Sequence, residues 1–112
     1  MHEFPEVQAM LRRVLSETPE SARITHLTFV VGEASGHDPH HLAAHFLEAA
    51  RGTRAEGAVL EFRGERLAAR CAACGAEFHP QAKALACAQC GAVELIITAG
   101  NTVSLAGFEM DT

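Results

Sequence analysis
Apolar residues recur along the first part of the chain with a helical period. Val7, Met10, Leu11, Val14 and Leu15 fall at i, i+3, i+4, i+7 and i+8, one face of an amphipathic helix. Pro5 suits the first turn of that helix, and Thr18-Pro19 marks its end. From Ile24 to Val31 the period changes to two. Leu27, Phe29 and Val31 alternate with His26, Thr28 and Val30, a strand that Gly32 ends. Asp38 followed by Pro39 is a helix cap with proline at the first helical position, and the pattern predicts a helix to about Ala50 that buries Leu42, Phe46 and Ala49. Residues 51–58 read as a loop with two glycines. Val59–Phe62 reads as a strand broken by Gly64, Val93–Ile97 as another, and 102–108 as the last, with Val103 and Leu105 on one face.

These elements make an α+β chain, with two helices packed on a three-stranded sheet built from 24–31, 58–63 and 102–108. Interrupting it is a stretch of different character. Cys71-Ala-Ala-Cys74 and Cys87-Ala-Gln-Cys90 form two CxxC pairs separated by twelve residues, each followed directly by glycine. A glycine there lets the backbone turn back so that its N–H groups point at sulfur. Four thiolates on two such turns are the ligand set of a tetrahedral structural Zn2+ site. The sequence therefore predicts an inserted four-cysteine, zinc-ribbon-like domain over 67–98. It would interrupt an α/β domain formed by 1–66 and completed by a strand in 99–112. Paired disulfides and a redox dithiol fit less well, because no signal peptide is read ahead of the domain and two pairs at this spacing suit a metal.

Composition narrows the function. The 112 residues carry a formal charge of −5. Four thiolates around one Zn2+ would make it about −7, the wrong sign for nucleic acid, which many zinc ribbons bind. Between Cys71 and Cys90 the only cation is Lys83. No apolar run approaches a membrane span, so a cytoplasmic protein is expected. Four thiolates leave no open coordination position, and no GxSxG, HExxH or P-loop occurs, so no enzyme is expected. A zinc-ribbon module that binds protein or nucleic acid is the alternative.

The histidines add candidate chemistry. His2 follows Met1, and a bulky second residue leaves the initiator methionine in place. A Met1 amine, the His2 amide and His2 Nδ1 close five- and six-membered chelate rings suited to square-planar Ni2+ or Cu2+; taken alone the signal is weak, and a histidine at position 2 is usually just a solvated terminus. Amine and imidazole bind only when deprotonated, so nickel affinity at such a terminus falls below about pH 6.5. His37, His40, His41 and His45 cluster around the second helix. His41 and His45 stand at i, i+4, and His37, His41 and His45 are candidates for a secondary metal contact. His26 and His79 read as a sheet and a loop residue.

In order along the chain stand Met1-His2-Glu3, Ala22-Arg23, Gly32-x-x-Ser35, Gly52-Thr53 with Ala55-Glu56-Gly57-Ala58, the double CxxC, and Gly100-Asn101. This ordered set resembles the hydrogenase/urease nickel-incorporation metallochaperones, the HypA/HybF family, over nearly the whole chain. The resemblance implies nickel, as cargo, at Met1, His2 and Glu3, with the His2 side chain essential and Glu3 completing the site. It implies structural zinc at Cys71, Cys74, Cys87 and Cys90. The partners it implies are the GTPase nickel chaperone of the hydrogenase maturation pathway, and the large subunit of a [NiFe]-hydrogenase or urease accessory proteins. Some members of the family form homodimers. The chain departs from the family pattern at His40-His41, where relatives often carry an acidic residue, and at Ala88, where proline is usual.

Overall fold
A computed structural model describes residues 5–81 and 84–112. Among these residues are two helices and two three-stranded sheets, the second sheet inserted in sequence between strands of the first. They are α1 (Pro5–Glu17), β1 (Arg23–Gly32), α2 (Pro39–Ala49), β2 (Val59–Glu65), β3 (Ala68–Cys71), β4 (Glu77–Phe78), β5 (Leu95–Ala99) and β6 (Val103–Asp111). One sheet has the order β2-β1-β6 and the other β4-β3-β5. By packing, the chain divides into two compact units. One holds the residues up to Val30, His37–Arg63 and Val103–Thr112; the other holds Val31–Gly36 and Gly64–Thr102.

The first unit is an ordinary apolar core. Helix α1 buries Val7, Leu11 and Val14, β1 buries Ile24, Leu27 and Phe29, and α2 buries Leu42 and Phe46. Phe29 meets Phe46 edge-on, with centroids 5.5 Å apart, and stacks on Phe62 at 5.3 Å. These rings are the largest apolar contribution available in a chain with no Trp or Tyr. Helix α1 packs against α2 and β6. The buried positions of β1 shift phase between Ile24 and Leu27, so the period-two pattern holds only from Leu27 onward. Three further details depart from the sequence pattern. Gly64 does not break β2, which continues to Glu65 and is exposed there. Ala50 is buried rather than Ala49. The strand expected at Val93–Ile97 begins only at Leu95, and Val93 is 74% exposed.

Helix α1 has no basic residue in its last turn to satisfy its final carbonyls. Arg54, from the loop after α2, does this from a distance in sequence. Its Nη2 donates to Leu15 O at 2.7 Å, and its Nη1 donates to Thr18 Oγ1, Pro19 O and Ala22 O at 3.0, 2.7 and 2.9 Å. The buried Thr18 hydroxyl in turn donates to Val14 O at 2.8 Å. One guanidinium thus closes the helix end, where cationic charge is favoured, and fixes the chain that leads into β1. Arg54→Ala removes these four hydrogen bonds, three of them part-buried, and is expected to cost about 3 kcal/mol. In a thermal melt of the zinc-loaded protein that is a fall in Tm on the order of 15 °C; Arg54→Lys, with no fork to span four acceptors, recovers less than half of it.

The second unit has little apolar core. Its buried side chains are Val31, Leu67, Ala69, Cys71 and Cys87, with Pro80 beside them. Strand β3 pairs antiparallel with β4 (Ala69 opposite Phe78) and with β5 (Arg70 opposite Ile96, Cys71 opposite Leu95). Three stretches of backbone run together at 32–34, 65–67 and 100–102. Gly32 N–H donates to Thr102 O, Glu33 N–H to Glu65 O and Ala34 N–H to Gly100 O, each at 2.9 Å. Two carboxylates close the junction: Glu33 accepts Leu67 N–H at 2.6 Å, and Glu65 accepts Gly100 N–H at 3.0 Å.

Candidate metal centre
The two CxxC turns are built alike. In the first, Cys71 N–H donates to Ala76 O and Gly75 N–H to Cys71 O; in the second, Cys87 N–H donates to Ala92 O and Gly91 N–H to Cys87 O, all at 2.8–2.9 Å. Gly75 and Gly91 sit at φ +78° and +75°, the left-handed region that the residue after each second cysteine needs if the chain is to fold back. The Cys74 N–H points at Cys71 Sγ (3.5 Å), and the Gln89 and Cys90 N–H groups point at Cys87 Sγ (both 3.4 Å). Residues 71 and 87 are buried, while residues 74 and 90 are exposed. Each turn therefore offers one inner and one outer sulfur.

All four sulfurs lie within 4.8 Å of one another. Cys71 and Cys90 are 3.6 Å apart, as are Cys74 and Cys87. Sulfurs placed about 2.3 Å from a common Zn2+ form a tetrahedron with edges of about 3.8 Å, so this donor set fits zinc in number, kind and spacing. Both of these contacts run between turns, so the two turns meet at one cluster of four sulfurs, which suits one shared ion.

The electrostatics agree. The Cys90 N–H, and then the Gln89 N–H, hold the Cys87 thiol down to about 6 against the opposing effect of burial. The Cys74 N–H lowers Cys71 in the same way. The outer pair moves upward. The N–H of Ala92 draws Cys90 down, but the neighbouring sulfurs of Cys71 and Cys87 and the loss of solvent outweigh it and push Cys90 up to about 11. Cys74 is raised similarly, with Cys87 as the main opponent of the Ala76 N–H. Backbone dipoles thus ionise the inner thiols first, and the outer thiols resist because they face negative sulfur. A divalent cation at the centre removes that resistance, since a coordinated thiol is deprotonated outright.

The other residues singled out from sequence are placed as follows. Met1, His2, Glu3 and Lys83 lie outside the described residues. His26 is half-buried in β1, with Nε2 3.4 Å from Glu61. His79 follows β4, and its Nδ1 lies 3.0 Å from Leu67 O. His41 is exposed on α2, His45 half-buried on it, and His37 half-buried before it. Among the described residues, only the four cysteines form a metal-ligating group of three or more. No local pattern marks Glu33, Glu65 or Arg54, since a surface carboxylate or arginine looks the same in sequence whether or not it holds distant backbone. No helix among the described residues is long and apolar enough to cross a membrane.

The chain has clear relatives. The sequence profile of the family described as "Hydrogenase/urease nickel incorporation, metallochaperone, hypA" matches residues 1–110. The hydrogenase maturation factor HypA of Chlorobaculum tepidum is 33% identical over 113 aligned positions, covering 99% of this chain and 100% of that protein. The HypA of Archaeoglobus fulgidus is 39% identical over 79 positions, covering 69% and 72%. The solution structure of the Ni metallochaperone HypA from Helicobacter pylori superposes with a TM-score of 0.75 over 98% of this chain and 97% of that one; at 24% identity this is a likeness of fold.

Proposed function
The chain belongs to the HypA family of hydrogenase/urease nickel-incorporation metallochaperones, and from that premise we propose how it divides the work between its two metals. Zn2+ is held by Cys71, Cys74, Cys87 and Cys90 and organises the fold; Ni2+ is cargo, bound by Met1, His2 and Glu3 and released to a client. The observation that carries this reading is that the family match spans Met1-His2-Glu3 together with both CxxC pairs. The division also follows from coordination chemistry. Four thiolates fill a tetrahedral shell and hold their ion closed to solvent. An amine, an amide nitrogen and an imidazole at a chain end offer a planar nitrogen set to Ni2+ that a client's ligands can replace one at a time.

The protein acts as a carrier rather than a catalyst, in the cytoplasm. Its partners are the GTPase nickel chaperone of hydrogenase maturation and the large subunit of a [NiFe]-hydrogenase, with urease accessory proteins as the second class of client. A homodimer is the form in which two such termini could be presented together. Neither nucleic acid nor membrane is read as a partner: the net charge of −5 opposes the one, and no helix among the described residues is long and apolar enough to cross the other.

The test is metal analysis and nickel titration of zinc-loaded protein that begins at Met1. One zinc and one nickel per chain are expected. His2→Ala, or any extension ahead of Met1, should weaken nickel binding at least about 100-fold through loss of a chelating donor while zinc stays at one per chain. Unchanged nickel affinity in both variants would remove the terminal site.

A further inference from the structure
We propose that His41 and His45 form a second, weaker chelating site for Ni2+ on α2. The site goes beyond the terminal chelate and does not depend on it. Its geometry comes from how firmly the helix is set. Asp38 has an extended backbone (φ −94°, ψ 129°), and its carboxylate accepts His40 N–H at 2.8 Å. Pro39 fills the first helical position, and Leu42 N–H donates to Asp38 O at 3.0 Å. The first turn, which carries His41, is therefore formed, and the rotation of the helix is fixed by the buried Leu42, Phe46 and Ala50.

His41 immediately precedes Leu42, and His45 immediately precedes Phe46. Both histidines therefore stand on the same side of the buried stripe, one turn apart, with Cβ atoms about 6 Å from each other. His41 is exposed and His45 half-buried, so one imidazole is held by its surroundings and the other is able to swing to meet an ion beside it. His37 is excluded from the pair, because the extended backbone at Asp38 ends the helical spacing before reaching it. His40 lies about 100° around the helix.

Two imidazoles at i, i+4 chelate borderline divalent ions, with nickel above iron and cobalt in intrinsic affinity. With only two protein donors the remaining positions belong to water. The first turn also carries the positive end of the helix dipole, which opposes a cation. The site is consequently weaker than a terminal three-nitrogen chelate and exchanges its ion freely with solvent.

The test uses the zinc-loaded His2→Ala chain, in which the terminal site is disabled, titrated with Ni2+ alone. The ring signals of His41 and His45 are followed by NMR, because paramagnetic Ni2+ broadens nuclei close to it. Both rings are expected to broaden together along one weak isotherm. His41→Ala, an exposed change, should weaken that isotherm at least about tenfold by leaving a single donor; His45→Gln, which keeps the side chain's bulk, should do the same. His40→Ala should leave it unchanged. Absence of broadening at either ring, or an equal effect from His40→Ala, overturns the site. Neither result bears on nickel at Met1-His2-Glu3, which is tested separately in the chain with His2 intact.

Discussion
Cys87→Ser yields a chain without zinc and with its second unit unfolded. The reason lies in how little else holds that unit. Besides the two inner cysteines, its buried apolar side chains among the described residues are Val31, Leu67, Ala69 and Pro80, far too few to offset the ordering of residues 64–102, at roughly 1–2 kcal/mol of backbone entropy each. Zinc binding supplies on the order of 10 kcal/mol when it is coupled to folding, more than any other single interaction in the chain. Cys87 is the most informative ligand to remove. It is buried, receives two backbone N–H groups and is the sulfur held down to about 6. Serine keeps the shape but offers zinc a poor donor. Metal analysis should fall from one zinc per chain to near none. Hydrogen exchange should show the Cys71 and Ala72 amides, bonded to Ala76 O and Glu94 O, losing protection, while amides of α1, α2 and β1 as far as Val30 keep it, because the first unit contains none of the four cysteines. Retained protection at Cys71 and Ala72 in a zinc-free variant would mean that the unit is folded by something other than its metal.

That asymmetry explains which parts of the fold are legible in the sequence. The helices were legible because each buries a stripe with a clear period and α2 has an explicit cap at Asp38. The four-cysteine cluster was legible because its members come in two close pairs and its turns need glycine at fixed positions. Only the meeting of the two turns is a tertiary event. The ordered motifs identified the family, and the profile match agrees. Less was visible where one residue acts on backbone far away. Arg54 reaches Leu15 across 39 positions, Glu33 reaches Leu67 across 34 and Glu65 reaches Gly100 across 35. No local pattern encodes such a pairing. Glycine weakens a strand on average, so the sequence reads a break at Gly64, yet β2, a neighbour of β1 in the sheet, continues to Glu65.

Gly100 can be replaced by no other residue, and Gly100→Ala costs at least about 4 kcal/mol, in the range reserved for a named structural failure. Two effects add there. The residue has φ +86°, a conformation that costs an L-residue about 1–2 kcal/mol. A Cβ would also lie 2.4 Å from Arg66 O and 2.4 Å from Leu67 Cα, and both are backbone atoms that cannot swing aside. Relief requires separating strands that are tied by the Glu65–Gly100 and Glu33–Leu67 hydrogen bonds. Three further variants separate the causes. Gly32→Ala meets Gly100 C and O at 2.3 Å without positive φ and reports crowding alone; Gly52→Ala has φ +76° in open space and reports strain alone; Gly64→Ala has neither and should be close to neutral. Measured by urea denaturation with zinc bound, the expected order of destabilisation is Gly100, then Gly32, then Gly52, then Gly64. The Leu67 amide should lose exchange protection in the first two variants only. If Gly100→Ala costs no more than Gly52→Ala, the close passage of backbone at residues 32, 66 and 100 does not hold the junction together, and the carboxylates of Glu33 and Glu65 must do so alone.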